Sequence, residues 1–134
     1  MNVVLDTSGA IEIFDMTQKG GAFLDIILHA EKVLAPDLYI SEIANTAWKR
    51  NRRKENWASV SIQMGKECIN YIREYADILT LWEEALNLAH EYDHSVYDML
   101  YAALAKRHDA VLITLDEPLR KVCEQIPVRC APIY

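Results

Sequence analysis

The sequence predicts an α/β protein in which a mostly parallel sheet lies between layers of helices. Three observations carry this. Short apolar runs centred near residues 3, 33, 79, 112 and 128 alternate with longer stretches of helical periodicity, the pattern of βα units. Two of the runs, residues 2–5 (NVVL) and 111–114 (VLIT), are of the kind that fills a strand covered on both faces. Residues 96–105 are apolar around most of the helical circumference, which suits a helix clamped between layers.

In chain order, the first strand ends in Asp6-Thr7-Ser8-Gly9, and that turn leads into a helix reaching Phe14. Residues 18–21 (QKGG) read as a polar loop, and residues 22–30 as an amphipathic helix with Phe23, Ile26, Ile27 and Ala30 on one face. Residues 32–35 (KVLA) make a second strand, closed by Pro36. Asp37 opens a helix running to about Arg50, because Asp favours a helix N-terminus. A long helix is expected over residues 55–75, striped by Trp57, Val60, Met64, Cys68, Tyr71 and Ile72. Residues 76–81 (ADILTL) read as a third strand with Ile78 and Leu79 buried, and residues 83–92 as a helix. Ser95 caps the next helix, which ends in Lys106, Arg107 and His108, where positive charge suits the dipole. After the fourth strand, Asp116 and Pro118 open a helix to about Gln125, and residues 127–130 (PVRC) form a last edge strand.

A length of 134 residues is that of one domain, here taken as residues 1–134, and 51% hydrophobic residues exclude a disordered chain. Twenty acidic against 14 basic residues argue against bulk attraction to nucleic acid, but leave room for a local basic patch. Residues 49–54 (KRNRRK) hold five of those 14. They are either cations welcomed at a helix C-terminus or phosphate contacts made by Lys49, Arg50, Arg52, Arg53 and Lys54. Three cysteines without CxxC spacing read as thiols of a reducing compartment. The first ten residues have no basic n-region, and nothing approaches the ~20 apolar residues of a membrane span, so a cytoplasmic protein without membrane contact is expected.

Four carboxylates stand out by placement. Asp6 and Asp116 follow strands, Asp98 lies in a helix's first turn, and Glu42 shares a helix face with Asn45. Each has a plain alternative as a cap or a surface charge. Jointly they point elsewhere. If strands 1 and 4 are neighbours, Asp6 and Asp116 sit side by side, and like charges so close need a cation among them. Hard oxygen ligands select Mg2+ or Mn2+. Such a pocket suits metal-assisted phosphoryl chemistry, with Ser8, Thr114 and Asn45 in support. His90 and His94 lack the further ligands of a zinc site and read as surface or capping residues.

Residues 5–8 (LDTS), 42–45 (EIAN), 95–105 (SVYDMLYAALA) and 114–116 (TLD), in this order and spacing, resemble the PIN-domain ribonucleases, most of all the VapC toxins of toxin–antitoxin pairs. The resemblance implies an α/β/α sandwich with a five-stranded, mostly parallel sheet of order 3-2-1-4-5. It further implies that Asp6, Glu42, Asp98 and Asp116 hold Mg2+ or Mn2+ for endonucleolytic RNA cleavage, with a homodimeric chain and a cognate antitoxin. Gly9, Leu119 and Glu117 depart from the family pattern. The alternatives are an inactive PIN-like binding module and an aspartyl-phosphate phosphatase, which lacks its DxDx(T/V) run here. A dinucleotide-binding domain is excluded by the absence of GxGxxG after strand 1.

Overall fold

Strands β1 (Asn2–Leu5), β2 (Lys32–Pro36), β3 (Glu74–Ala76) and β4 (Val111–Ile113) pair in parallel, in the order β3-β2-β1-β4. The structure is a computed structural model and describes residues 1–133. Helices α1 (Thr7–Phe14) and α2 (Gln18–His29) join β1 to β2, and α3 (Leu38–Asn51) and α4 (Trp57–Asn70) join β2 to β3. A 3-10 turn at Ile78–Thr80, then α5 (Trp82–Tyr92) and α6 (Val96–Arg107), carry the chain back across the sheet to β4, and α7 (Glu117–Gln125) follows. Right-handed crossovers in this order put α1–α4 on one face and α5–α6 on the other. Accordingly α6 packs on β1, β2 and β4, while α1 packs with α2, α3 and α4.

The central strands behave as their composition predicts: Val3, Val4, Leu5, Leu112 and Ile113 are wholly buried. The whole run from Met99 to Ala105 is buried as well, which explains why the middle of α6 has no polar face. Ser95 caps it by accepting the Asp98 N–H.

Four expectations about these elements are corrected. The third strand lies earlier than residues 76–81. Asp77 accepts the Leu79 N–H and turns the chain into the 3-10 segment, leaving Leu79 76% exposed; an Asp side chain competing for local N–H groups favours such turns over strands. The fifth strand shrinks to one parallel bridge, Leu112 with Cys130, and among the described residues the sheet has four strands. Pro127 cannot donate to a ladder, and Arg120 holds the segment instead by donating to the carbonyls of Thr114 and Ala131.

Residues 18–21 are the first turn of α2 and not a loop. Thr17 caps it by accepting the Gly20 N–H, and Gly20 packs so closely on α1 that a Cβ there would stand 1.9 Å from the Glu12 carbonyl oxygen. The glycine serves close helix approach rather than flexibility. The helix expected over residues 55–75 is likewise shorter, Trp57–Asn70, and Arg73 turns back to cap α2 through the carbonyls of Ile27 and Ala30. Among the described residues no helix is long and apolar enough to cross a membrane.

Candidate metal centre

Strand order reverses between β1 and β4, and in open α/β sheets a crevice opens at the carboxyl ends of strands at such a point. A cavity of about 480 Å³ lies there, and Asp6, Glu42, Asp98 and Asp116 all line it. Four stretches far apart in sequence thus meet in one hollow.

Register places Asp6. With Val3 opposite Val111 and Leu5 opposite Ile113, the next rung sets Asp6 level with Thr114, so Asp116 lies two residues further on and not directly beside Asp6. Asp6 caps α1: its Oδ1 accepts the Gly9 N–H at 3.0 Å and the Ser8 hydroxyl at 2.6 Å. Ser8 Oγ in turn accepts the Leu115 N–H at 2.9 Å, stitching β1's end to β4's. Gly9 leaves the room for this, since a Cβ would meet Ile113 Cγ2 at 2.7 Å.

Burial pushes the Asp6 carboxyl up to about 6, with a small addition from the Glu42 charge; hydrogen bonds from Ser8, Thr114 and the Gly9 N–H act in the opposite direction. The expected mutual repulsion of Asp6 and Asp116 is therefore not what perturbs this group. Desolvation is.

Glu42 projects from α3 into the cavity, where its Oε1 accepts hydrogen bonds from the Thr7 hydroxyl at 3.2 Å and the Tyr101 hydroxyl. Asn45, by contrast, is exposed and outside the cavity; Thr46 lines it instead. Position 46 is four residues from Glu42 and falls closer to its helix face than position 45 does.

Asp116 caps α7, accepting the Leu119 N–H at 2.8 Å. Capping and lining the cavity are thus compatible, because a cap occupies one carboxylate oxygen. Thr114 is fully buried and accepts the Asp116 N–H. Glu117 is exposed.

Asp98 does not complete a capping box. Its Oδ2 lies 2.7 Å from Nε2 of His94, whose side chain is only 15% exposed. The reading of His94 as a surface or capping residue is corrected accordingly. A nitrogen of His94 and one oxygen each of Asp98 and Asp116 lie within 4.8 Å of one another. Also missed were Thr7, Tyr101 and Glu12, which line the same cavity. The available signals were the i,i+3 spacing of Asp98 and Tyr101 and the i,i+4 spacing of Ser8 with Glu12, each pair within one helix; His94, outside α6, gave no such signal.

The basic run is divided. Arg50 makes a two-bond ion pair with Asp15 at 2.7 and 2.9 Å, which holds the Asp15 carboxyl below its usual range. Arg52 lies over the Trp48 ring at 5.1 Å. Lys49, Arg53 and Lys54 are exposed. Trp48 and Trp57 are half exposed beside Ile62 in an apolar groove between α3 and α4.

Oxygen donors from four elements with one adjacent imidazole, gathered in an open cavity, fit a divalent cation of the Mg2+ or Mn2+ class. Known proteins agree with this architecture. The chain is 28% identical to Ribonuclease VapC3 of Pyrobaculum aerophilum over 98% of its own length and 100% of that protein's. It superposes on PAE2754 from Pyrobaculum aerophilum with a TM-score of 0.71 and 26% identity, covering 91% of this chain and 79% of that one. A toxin–antitoxin complex from Klebsiella pneumoniae has a chain of the same fold, with a TM-score of 0.72, 19% identity and 98% of each chain covered. The family model for the PIN domain matches residues 3–125, from β1 to the last turn of α7. With its strand order, its acidic crevice and this match over nearly all of its length, the chain belongs to the PIN-domain family.

Proposed function

We propose that the chain is a Mg2+- or Mn2+-dependent endoribonuclease and the toxin of a toxin–antitoxin pair. The observation that carries the reading is the convergence of Asp6, Glu42, Asp98 and Asp116 on one cavity at the strand-order switch. These four residues would hold the cation. When bound, a divalent cation supplies a water of lowered pKa and positive charge against a phosphodiester.

The chain's own part is orientation. Ser8 and Thr114 aim the Asp6 carboxylate, and Thr7 and Tyr101 aim that of Glu42. RNA phosphates would meet Lys49, Arg53 and Lys54 first, since Arg50 and Arg52 already have partners. A protein partner is favoured by the family's solved toxin–antitoxin complexes and by the exposed Trp48, Trp57 and Ile62. Homodimerisation and a cytoplasmic location complete the proposal.

The test is cleavage of total cellular RNA by the purified chain at millimolar Mg2+ or Mn2+, with and without chelator. The expected result is cutting that chelation abolishes and that Asp98→Asn and Asp116→Asn lose. Undiminished cutting in both variants, or none by the parent chain with either metal, overturns the proposal.

A further inference from the structure

We infer that His94 is a direct ligand of the cation site, making it a mixed nitrogen–oxygen centre that prefers Mn2+ to Mg2+ more strongly than four carboxylates alone would. The inference rests on the proposed cation site and concerns which side chains and which metal complete it.

Three features of the structure support it. The first is spacing. Nε2 of His94 and Oδ2 of Asp98 are 2.7 Å apart. Neighbouring donors on an octahedral ion with bonds of about 2.1 Å are separated by about 3 Å. The pair, hydrogen-bonded to each other here, stands close to the separation of two donors sharing one ion, and an Asp116 oxygen lies within 4.8 Å of both.

The second is the local backbone. Asp93 closes α5 from the left-handed region, φ 51° and ψ 55°, and the His94 N–H then donates to the Ala89 carbonyl at 3.1 Å. Ser95 immediately caps α6. Only two residues, Asp93 and His94, join α5 to Ser95, so His94 is held from both sides by helix ends.

The third is chemistry. A His–Asp pair straddling a helix N-cap accounts for its own two partners but not for the approach of a further carboxylate. Here Asp116 arrives from the N-cap of α7, just beyond β4. Imidazole nitrogen is a better donor to Mn2+ than to Mg2+, which binds oxygen and gives up its waters reluctantly.

The test uses the full chain with Mn2+ or Mg2+ alone as the probe. Calorimetry gives the affinity for each ion, and pulsed electron paramagnetic resonance of the Mn2+-loaded chain reads directly coordinated imidazole nitrogen. The expected result is a nitrogen coupling in the parent chain that vanishes in His94→Gln, with Mn2+ affinity lowered about tenfold or more and Mg2+ affinity little changed. His94→Asn serves as a second variant should the first misfold. Mn2+ binding without nitrogen coupling, or a Mn2+/Mg2+ ratio unchanged in the variants, overturns the role of His94 while leaving the cation site standing. Failure of the parent chain to bind either ion overturns the site itself, and the inference with it.

Discussion

The acidic cavity has two walls, and they are built differently. On the wall formed by β1 and α3, Asp6 and Glu42 are occupied by the chain's own donors: Ser8, Gly9 and Thr114 for one, Thr7 and Tyr101 for the other. On the wall where α5 meets α6 and β4 ends, Asp98 and Asp116 converge with His94. The first wall is pre-positioned, and burial is the larger part of its cost, holding the Asp6 carboxyl up at about 6. On the second each carboxylate has one partner, the Leu119 N–H for Asp116 and His94 for Asp98, against two or three on the first. Under the proposed function the two walls would divide the work, one fixing its carboxylates without metal and the other capturing the metal.

The largest expected effect falls on the open wall. Asp98→Asn should lower Mn2+-dependent RNA cleavage by about 100-fold or more, measured as single-turnover rates, with the far-ultraviolet circular dichroism unchanged. Equal losses of Mn2+ affinity in Asp6→Asn and Asp98→Asn would erase the contrast between the walls.

Next in size is the cost of burying Asp6. In the metal-free chain its folded-state value is raised from 3.8 to about 6, so between these values the unfolded chain ionises while the folded chain keeps its proton. Stability is therefore lost as pH rises from about 4 through about 6, and the whole loss is present at neutral pH. Asp6→Asn should accordingly stabilise the metal-free chain by on the order of 2–3 kcal/mol at pH 7.5, and by far less near pH 4. Urea unfolding at both pH values checks this; a gain that does not shrink at low pH contradicts the burial account.

Two smaller effects sharpen the picture of the fixed wall. Ser8→Ala removes a donor to Asp6 and the acceptor of the Leu115 N–H, and should cost about 1–2 kcal/mol. Tyr101→Phe leaves Glu42 with Thr7 alone and should cost about 1 kcal/mol in urea unfolding while raising the metal concentration needed for half-maximal cleavage. A Tyr101→Phe chain identical to the parent in both respects would remove that residue from the site.

Much of this arrangement was legible in the sequence, for identifiable reasons. Strands β1 and β4 announce themselves through buried β-branched runs, and α6 through its apolar circumference. Asp6 and Asp116 stand at strand ends, the positions where sheet topology concentrates ligands. What escaped was set by register and rotation. Asp6 lies level with Thr114 because β1 and β4 pair one rung at a time, and no local pattern encodes that offset. Thr46 rather than Asn45 reaches the cavity because a helix advances 3.6 residues per turn. Gly20 looked like a loop residue because the close approach of α1 that requires it is tertiary. His94 looked isolated because Asp116, the third member of its cluster, comes from the start of α7 beyond β4.

The most direct test of the account is the anomalous difference map of a crystal soaked in Mn2+. The account predicts a peak inside the cavity bounded by Asp6, Glu42, Asp98 and Asp116, nearest the open wall of Asp98 and Asp116. A map at millimolar Mn2+ with no peak in that cavity, in crystals where those four side chains keep their positions, would contradict it.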